Sequence, residues 1–143
     1  MSGTTDLIER VERAPGMSRE IDADVYELLG YEVKRQPERV FGTTSKWTRA
    51  YAYLDGSRWI AMGRITASVD DALSLVDRVL GVDDRALCYS YDLNYHCYAH
   101  AHMAYACTLH LAVGTPAEMT DASGQAATMP LAIVSAMLRA IRP

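Results

Sequence analysis

The chain has 143 residues, half of them apolar, which is enough for one buried core, so a single domain over residues 1–143 is predicted. Eighteen acidic against fourteen basic side chains give a net charge of −4, which argues against a protein that coats long nucleic acid. No stretch approaches the roughly 20 apolar residues of a membrane span, and the polar start lacks a signal-peptide core, so a cytoplasmic protein without a membrane partner is expected.

Two short helices are predicted near the start of the chain. Apolar residues recur at helical spacing over residues 5–29, and the pattern is broken at residues 14–16 by Ala-Pro-Gly. Ser18 is suited to cap the second helix, and Gly30 follows its end, where glycine commonly takes a positive φ. Residues 31–45 show no clear period and are expected to form a strand fragment and a loop.

A β-hairpin and a third helix are predicted next. Aromatic and apolar residues alternate over residues 46–65, and Asp55-Gly56 is a strong turn pair between the two strands. Ser68 is suited to cap the helix that follows, and Gly81 is expected to end it. The apolar stripe of this helix consists of Ala72, Leu73, Val76, Val79 and Leu80.

Within residues 86–113, aromatic and apolar residues occupy the odd positions from Tyr95 to Val113, which is typical of strands with one dry and one wet face. The even positions of that stretch include His96, Tyr98, His100, His102, Thr108 and His110. A turn is expected near residues 101–104, and Asp92-Leu93-Asn94 is expected to join a preceding strand at residues 87–91. Residues 114–125 are small and polar and indicate a loop. Residues 126–141 are expected to form an amphipathic helix capped by Thr128, with Pro130 in its first turn.

This order of elements predicts an α+β fold, an antiparallel sheet covered by helices in an αβα-sandwich-like arrangement, because strands follow strands instead of alternating with helices. The glycine-rich phosphate loops and the nucleophile elbow of common enzyme families are missing from the sequence. We therefore expect a protein that is not an enzyme and that uses no cofactor.

Cysteine and histidine residues are candidate metal ligands and nucleophiles. Cys88, Cys97 and Cys107 lie in apolar segments without the close pairs of a zinc site, which indicates reduced core thiols. His100 and His102 share one strand face, and such a pair can bind zinc. A polar or ligand-facing strand surface explains the same pattern, so no metal is expected, and a metal hydrolase at these two histidines is the third alternative.

Aromatic and arginine residues are the strongest pointer to a ligand. Tyrosine and tryptophan rings stack on nucleobases and guanidinium groups bind phosphates, although both residue types also suit strands and helix ends for structural reasons. The predicted nucleotide site contains stacking residues, polar readers of the base edge, and phosphate ligands. They are Trp47, Trp59, Tyr89, Tyr91 and Tyr98 for stacking, Asn94 and His96 for the edge, and Arg139 and Arg142 for phosphate.

Three segments carry a family resemblance. Residues 7–14, Leu-Ile-Glu-Arg-Val-Glu-Arg-Ala, residues 66–76, Thr-Ala-Ser-Val-Asp-Asp-Ala-Leu-Ser-Leu-Val, and residues 127–140 together resemble the small αβα-sandwich proteins of tailed phages and prophages. Pro130 stands one place later than in the family pattern. The resemblance implies a phage protein that acts in the cytoplasm of an infected bacterium.

The order of elements is also similar to that of the Thoeris anti-defence sponge proteins of phages. That similarity is architectural, and it implies a homo-oligomer that sequesters a host cyclic nucleotide signal, a cyclic ADP-ribose isomer or a cyclic oligonucleotide, without cleaving it. The main alternative is a phage accessory or regulatory module that binds a host protein through the tyrosine-rich strand face.

Overall fold

Four helices and two three-stranded antiparallel sheets make up the part of the chain that the computed structural model describes, residues 3–35, 51–82, 88–95, 105–112 and 119–141. The predicted α+β class, with antiparallel strands covered by helices, is confirmed. In chain order the elements are helices α1 (Gly3–Arg13) and α2 (Arg19–Leu28), strands β1 (Val33–Lys34), β2 (Ala52–Asp55) and β3 (Arg58–Ala61), helix α3 (Val69–Val76) with a π-helical continuation (Asp77–Val82), strands β4 (Cys88–Tyr95), β5 (Tyr105–Ala112) and β6 (Met119–Ala126), and helix α4 (Met129–Ile141).

The first two helices begin and end as the sequence predicts. The Ser18 hydroxyl accepts a hydrogen bond from the Ile21 backbone N–H at 3.3 Å, and Gly30 takes a φ of 98° just after α2. Because that φ is strained for any residue with a Cβ, glycine is what lets the chain turn from α2 into β1.

The predicted hairpin is present as β2 and β3, which form the first sheet with β1 in the order β1-β2-β3. Asp55 pairs with Arg58, so the two-residue turn is Gly56-Ser57, one position later than the predicted turn pair. Gly56 has a φ of 63°, which satisfies the left-handed geometry of a tight hairpin turn.

Helix α3 begins as predicted but ends differently. The Ser68 hydroxyl accepts a hydrogen bond from the Asp71 backbone N–H at 3.2 Å. The prediction that Gly81 ends this helix was wrong, because the π-helical segment continues through it to Val82. Wider π turns keep Val79 and Leu80 in the core, where both are buried.

The second sheet has the order β4-β5-β6 and shows the predicted alternation on its central strand. Cys107, Leu109 and Leu111 of β5 are buried, and His110 lies on the opposite face. The predicted turn at 92–94 was wrong, because these residues lie inside β4, where Leu93 pairs with Cys107. The predicted turn at 101–104 lies outside the described residues.

Strand β6 occupies part of the segment that the sequence indicated to be a loop, so this prediction was also wrong. Its buried positions are Ala122, Gly124 and Ala126, which are too small to produce a visible apolar alternation. A Cβ atom at Gly124 would lie only 2.4 Å from the backbone nitrogen of Ala136 in α4. Small residues are therefore needed here because α4 presses directly on the strand.

Helix α4 is the centre of the core. It packs against β5 and β6 and also against α1 and α3, and its residues from Pro130 to Leu138 are all buried. It is thus buried on every side over most of its length, where the sequence predicted an amphipathic helix. The predicted Thr128 cap is present, with its hydroxyl 3.5 Å from the Leu131 backbone nitrogen.

A buried carboxylate ties α2 to the segment before α3. Asp22 has no exposed surface, and it accepts hydrogen bonds from the Thr66 backbone N–H at 2.9 Å and the Thr66 hydroxyl at 2.7 Å. Arg19 donates a third bond at 2.7 Å. Burial raises the pKa of the Asp22 carboxyl, while Thr66 and Arg19 act to lower it. With all its partners internal, this carboxylate is explained by the fold.

Among the described residues, no helix has the length and apolar character needed to cross a lipid bilayer.

Candidate functional site

Four of the predicted ligand-binding side chains are described, and they lie at three separate places. Trp59 is on β3 of the first sheet, Tyr91 and Asn94 are on β4 of the second sheet, and Arg139 is on α4. The backbone of Tyr89 is in β4, but its side chain lies outside the described part. The remaining predicted site residues also lie outside it, namely Trp47, His96, Tyr98 and Arg142.

Arg139 forms an ion pair with the first helix. Its Nη2 atom donates to both carboxylate oxygens of Glu12, at 2.8 and 3.0 Å, and the Ser135 hydroxyl donates to the same carboxylate at 2.9 Å. Helix α1, which carries Glu12, packs on α4 and β6, whereas β4 is at the opposite edge of the second sheet. The described part of the chain therefore does not bring Arg139 to Tyr91 and Asn94.

Trp59 also has a local partner. The Lys34 Nζ atom lies 4.3 Å from the centre of the Trp59 ring, which is a cation–π distance. This contact bridges β1 and β3 on the outer face of the first sheet. It accounts for the exposed indole without a ligand.

A small cleft combines tyrosines with an arginine but is too small for a nucleotide. Its volume is about 180 Å³, below the roughly 300 Å³ at which ligand pockets begin. The rings of Tyr26 and Tyr53 stack on each other at 4.8 Å, and Arg78 donates to the Tyr53 hydroxyl at 3.1 Å. These rings and this guanidinium are thus already paired with one another.

Strand β4 carries the most exposed aromatic surface of the described chain. Tyr91 and Tyr95 are 44% and 58% exposed, although Leu93 between them is partly buried against the core. The Tyr95 ring contacts Tyr105 of β5 at 4.8 Å between centroids. In the described residues β4 pairs with β5 alone, and α4 covers β5 and β6. Helix α4 therefore covers β5 and β6, while the π-helical segment Asp77–Val82 is the described helical segment that contacts β4.

The opposite face of the same sheet carries a three-strand polar contact that the sequence did not reveal. His110 of β5 is bonded through Nε2 to Asp92 of β4 at 2.7 Å and through Nδ1 to Asp121 of β6 at 2.8 Å. The hydrogen bond to Asp92, and then that to Asp121, raises the pKa of His110. One row away, the hydroxyls of Thr108 and Ser123 lie 3.0 Å apart.

This polar face is suited to binding more than to catalysis. Its carboxylates accept hydrogen bonds, and sugar hydroxyls and base amino groups are donors that can supply them. Both nitrogens of His110 are engaged by carboxylates, so the ring is not available as a general base for a nearby hydroxyl. No cluster of three potential metal ligands occurs among the described residues. His96, His100 and His102 lie outside them.

Cys107 is confirmed as a buried thiol. Burial raises its pKa to about 11, so it remains protonated and unreactive at neutral pH. The side chains of Cys88 and Cys97 lie outside the described part.

Comparison of the chain with protein-family models, with curated proteins and with solved structures found no match of any kind.

Proposed function

We propose that the chain is a binding protein that captures a host nucleotide immune signal, a cyclic ADP-ribose isomer or a cyclic oligonucleotide, and holds it unchanged in the cytoplasm of an infected bacterium. The observation that carries the proposal is the pair of exposed rings, Tyr91 and Tyr95, on β4, which is at the edge of its sheet in the described part of the chain and whose other face is polar. Exposed aromatic rings on strands are platforms for nucleobases. The sequence resemblance to small phage proteins supports the biological setting.

The chemistry of β4 limits how such a ligand would lie. The base would stack on Tyr91 and Tyr95, which share one face of β4. Asn94, the predicted reader of the base edge, lies with Asp92 on the opposite face, so it would contact only a part of the ligand that reaches that face. Asp92 accepts hydrogen bonds and repels phosphate, so on that face it suits a sugar hydroxyl or an exocyclic amine. Arg142 remains the predicted phosphate ligand, since Arg139 already pairs with Glu12.

Calorimetric titration with cyclic ADP-ribose isomers and cyclic oligonucleotides tests the proposal. We expect Tyr91→Ala to weaken binding by about 5- to 100-fold, the effect of losing one base–aromatic stack. Met17→Ala is the matched control. Met17 is also a large apolar side chain that is exposed, but it lies between α1 and α2, far from β4 in the sequence. Equal affinity of the wild type and the Tyr91→Ala variant would refute this site.

The fate of the ligand separates capture from catalysis. The bound complex is denatured, and the mass of the released nucleotide is measured by mass spectrometry. Recovery of the unchanged mass supports the binding protein. A hydrolysed product would instead support an enzyme, and the alternative of a metal hydrolase at His100 and His102 would then be tested by chelation.

A host protein is the second candidate partner, and the same strand favours it. Exposed tyrosines are enriched at protein interfaces, and an edge strand can extend its sheet with a strand from a partner. If no nucleotide binds, a host protein that co-purifies with the wild type is expected to be lost from Tyr91→Ala but retained by Met17→Ala. Loss from neither variant would rule out this surface.

A further inference from the structure

The small cleft beside Tyr26 and Tyr53, of about 180 Å³, is lined by residues of α2, the first sheet, α3 and its π-helical continuation. We propose that this tyrosine cleft binds a small zwitterion, an amino acid or a similar amino carboxylate. The carboxylate of the ligand would contact Arg78 and the Tyr26 hydroxyl, and its ammonium group would face Asp71. The described lining of the cleft contains no residue of β4, so the site goes beyond the proposed nucleotide capture and does not depend on it.

Arg78 provides a cation that the fold holds in place at the cleft. Its side chain is exposed, yet its Nη1 atom donates to the Tyr53 hydroxyl at 3.1 Å and its guanidinium carbon lies 5.6 Å from the centre of the Tyr53 ring. A guanidinium has five N–H donors, so most of them remain after this bond. Because the side chain is already ordered, a carboxylate would bind it at a lower entropic cost than a freely rotating arginine.

The charge of Arg78 is balanced differently from that of other arginines in the described chain. Several of them contact a carboxylate oxygen at 3.2 Å or less, namely Arg10, Arg19, Arg35 and Arg139. In the described part of the chain, the hydrogen-bond partners of Arg78 are the hydroxyls of Tyr53 and Tyr31, which raise its pKa. Phenols are neutral at pH 7, so the positive charge stays available to a ligand carboxylate.

Two backbone features shape the cleft around this arginine. Arg78 is the second residue of the π-helical segment Asp77–Val82, and single π turns are frequently found at functional sites. Gly63 lines the cleft without the positive φ that would require glycine. A Cβ atom there would lie 3.0 Å from the Tyr26 hydroxyl, so the missing side chain keeps this part of the cleft open.

The Tyr26 hydroxyl is a hydrogen-bond donor in the same cleft. Burial raises the pKa of Tyr26 to about 12, although a hydrogen bond from the Gly63 backbone acts to lower it. The phenol therefore keeps its proton at neutral pH and can donate it to a ligand. Ser74, which also lines the cleft, adds a second hydroxyl. These donors and the guanidinium match a carboxylate, which only accepts hydrogen bonds.

Asp71 selects the kind of carboxylate ligand that fits. It lines the same cleft, and its Oδ2 atom accepts from the Arg64 backbone N–H at 2.8 Å. Asp71 and Arg78 lie two helical turns apart, about 10 Å along the helix axis, and helical side chains lean towards the N-terminus, which brings the guanidinium closer to Asp71. A phosphate or a simple carboxylate would be attracted by Arg78 and repelled by Asp71, whereas a zwitterion satisfies both charges.

Isothermal titration calorimetry of the wild-type chain with the standard L-amino acids, and separately with acetate and inorganic phosphate, tests the inference. We expect at least one amino acid to bind with a Kd below about 1 mM, and at least about tenfold more tightly than acetate or phosphate. Arg78→Gln is expected to weaken this binding at least about tenfold, the effect of losing a charge-assisted hydrogen bond. Arg58→Gln is the matched control, because Arg58 is an exposed arginine of β3 outside the described lining, and it should bind like the wild type.

Asp71→Asn separates ligand recognition from a structural role. Loss of this charge is expected to weaken amino acid binding and to strengthen acetate binding, whereas a general disturbance of the cleft would weaken both. Tyr26→Phe keeps the ring and removes only the donor, so about a three- to tenfold weaker binding is expected. Circular dichroism checks that each variant is folded.

Three results would overturn the inference: no amino acid binds, acetate or phosphate binds as tightly, or folded Arg78→Gln or Asp71→Asn keeps the wild-type affinities. None of these titrations contains a nucleotide. Amino acid binding without nucleotide binding would therefore support this cleft and refute the proposed ligand of β4, and the reverse result would refute this cleft alone.

Discussion

Replacing Gly124 with alanine tests the contact between β6 and α4, which organises the core. The added Cβ would lie 2.4 Å from the backbone nitrogen of Ala136 and 2.6 Å from the Ser135 hydroxyl oxygen. Because ordinary contacts begin near 3.4 Å, α4 must move by about 1 Å. A gap of that size loses up to about half of the attractive energy of each van der Waals contact that is separated. Overpacking of this kind costs about 1–3 kcal/mol, and we expect about 3 kcal/mol since the obstructing atoms include backbone.

Thermal unfolding followed by circular dichroism measures this effect. A loss of about 3 kcal/mol in a chain of this size lowers Tm by roughly 10 °C. Gly16→Ala is the control, since a Cβ there meets nothing within 4 Å, and it is expected to be neutral or to raise stability by up to about 1 kcal/mol. If Gly124→Ala melts at the wild-type temperature, α4 does not press on β6 as described.

Three further predictions address buried and polar contacts. Arg139→Ala is expected to reduce the free energy of unfolding by about 1–2 kcal/mol, because Glu12 keeps only a hydroxyl partner, and to leave nucleotide binding unchanged; lost binding with retained stability would support the predicted phosphate role instead. The pKa of His110 is raised by folding, so its stabilising contribution is complete below about pH 6.5 and is lost as the pH rises through the higher pKa of the folded state. His110→Gln should therefore flatten the dependence of Tm on pH in that range. Identical profiles for the wild type and the variant would contradict this. Thr66→Val removes a hydroxyl donor from the buried carboxylate of Asp22 and should cost about 1–3 kcal/mol by denaturant unfolding, whereas Thr66→Ser, which keeps the hydroxyl, should cost clearly less.

Helix starts could be predicted from the sequence because the signals are local. Ser18, Ser68 and Thr128 each cap the helix that follows within three residues, so no knowledge of the fold is needed to recognise them. The hairpin turn at Gly56 was predicted for the same reason. Central strand β5 was also predictable, because one face is buried and the other is polar.

Strand β6 and the polar contact could not be predicted, for reasons that lie in the packing. Ala122 and Gly124 are buried because α4 approaches closely, and a small residue gives no sign of that in the sequence. The bonds from His110 to Asp92 and Asp121 depend on the register of three strands that are distant in sequence. Because the sequence predicts Asp92 in a turn and Asp121 in a loop, it does not indicate that either carboxylate bonds to His110.

The central position of α4 has a consequence for how the chain acquires its structure during synthesis. Every other described helix and strand precedes α4 in the chain, so each of them emerges from the ribosome before the segment on which α1, α3, β5 and β6 pack. Until residues 129–141 emerge, the apolar faces of these elements have no helix to cover them. The nascent chain is therefore expected to stay unfolded, or bound by chaperones, until α4 has emerged and then to fold cooperatively.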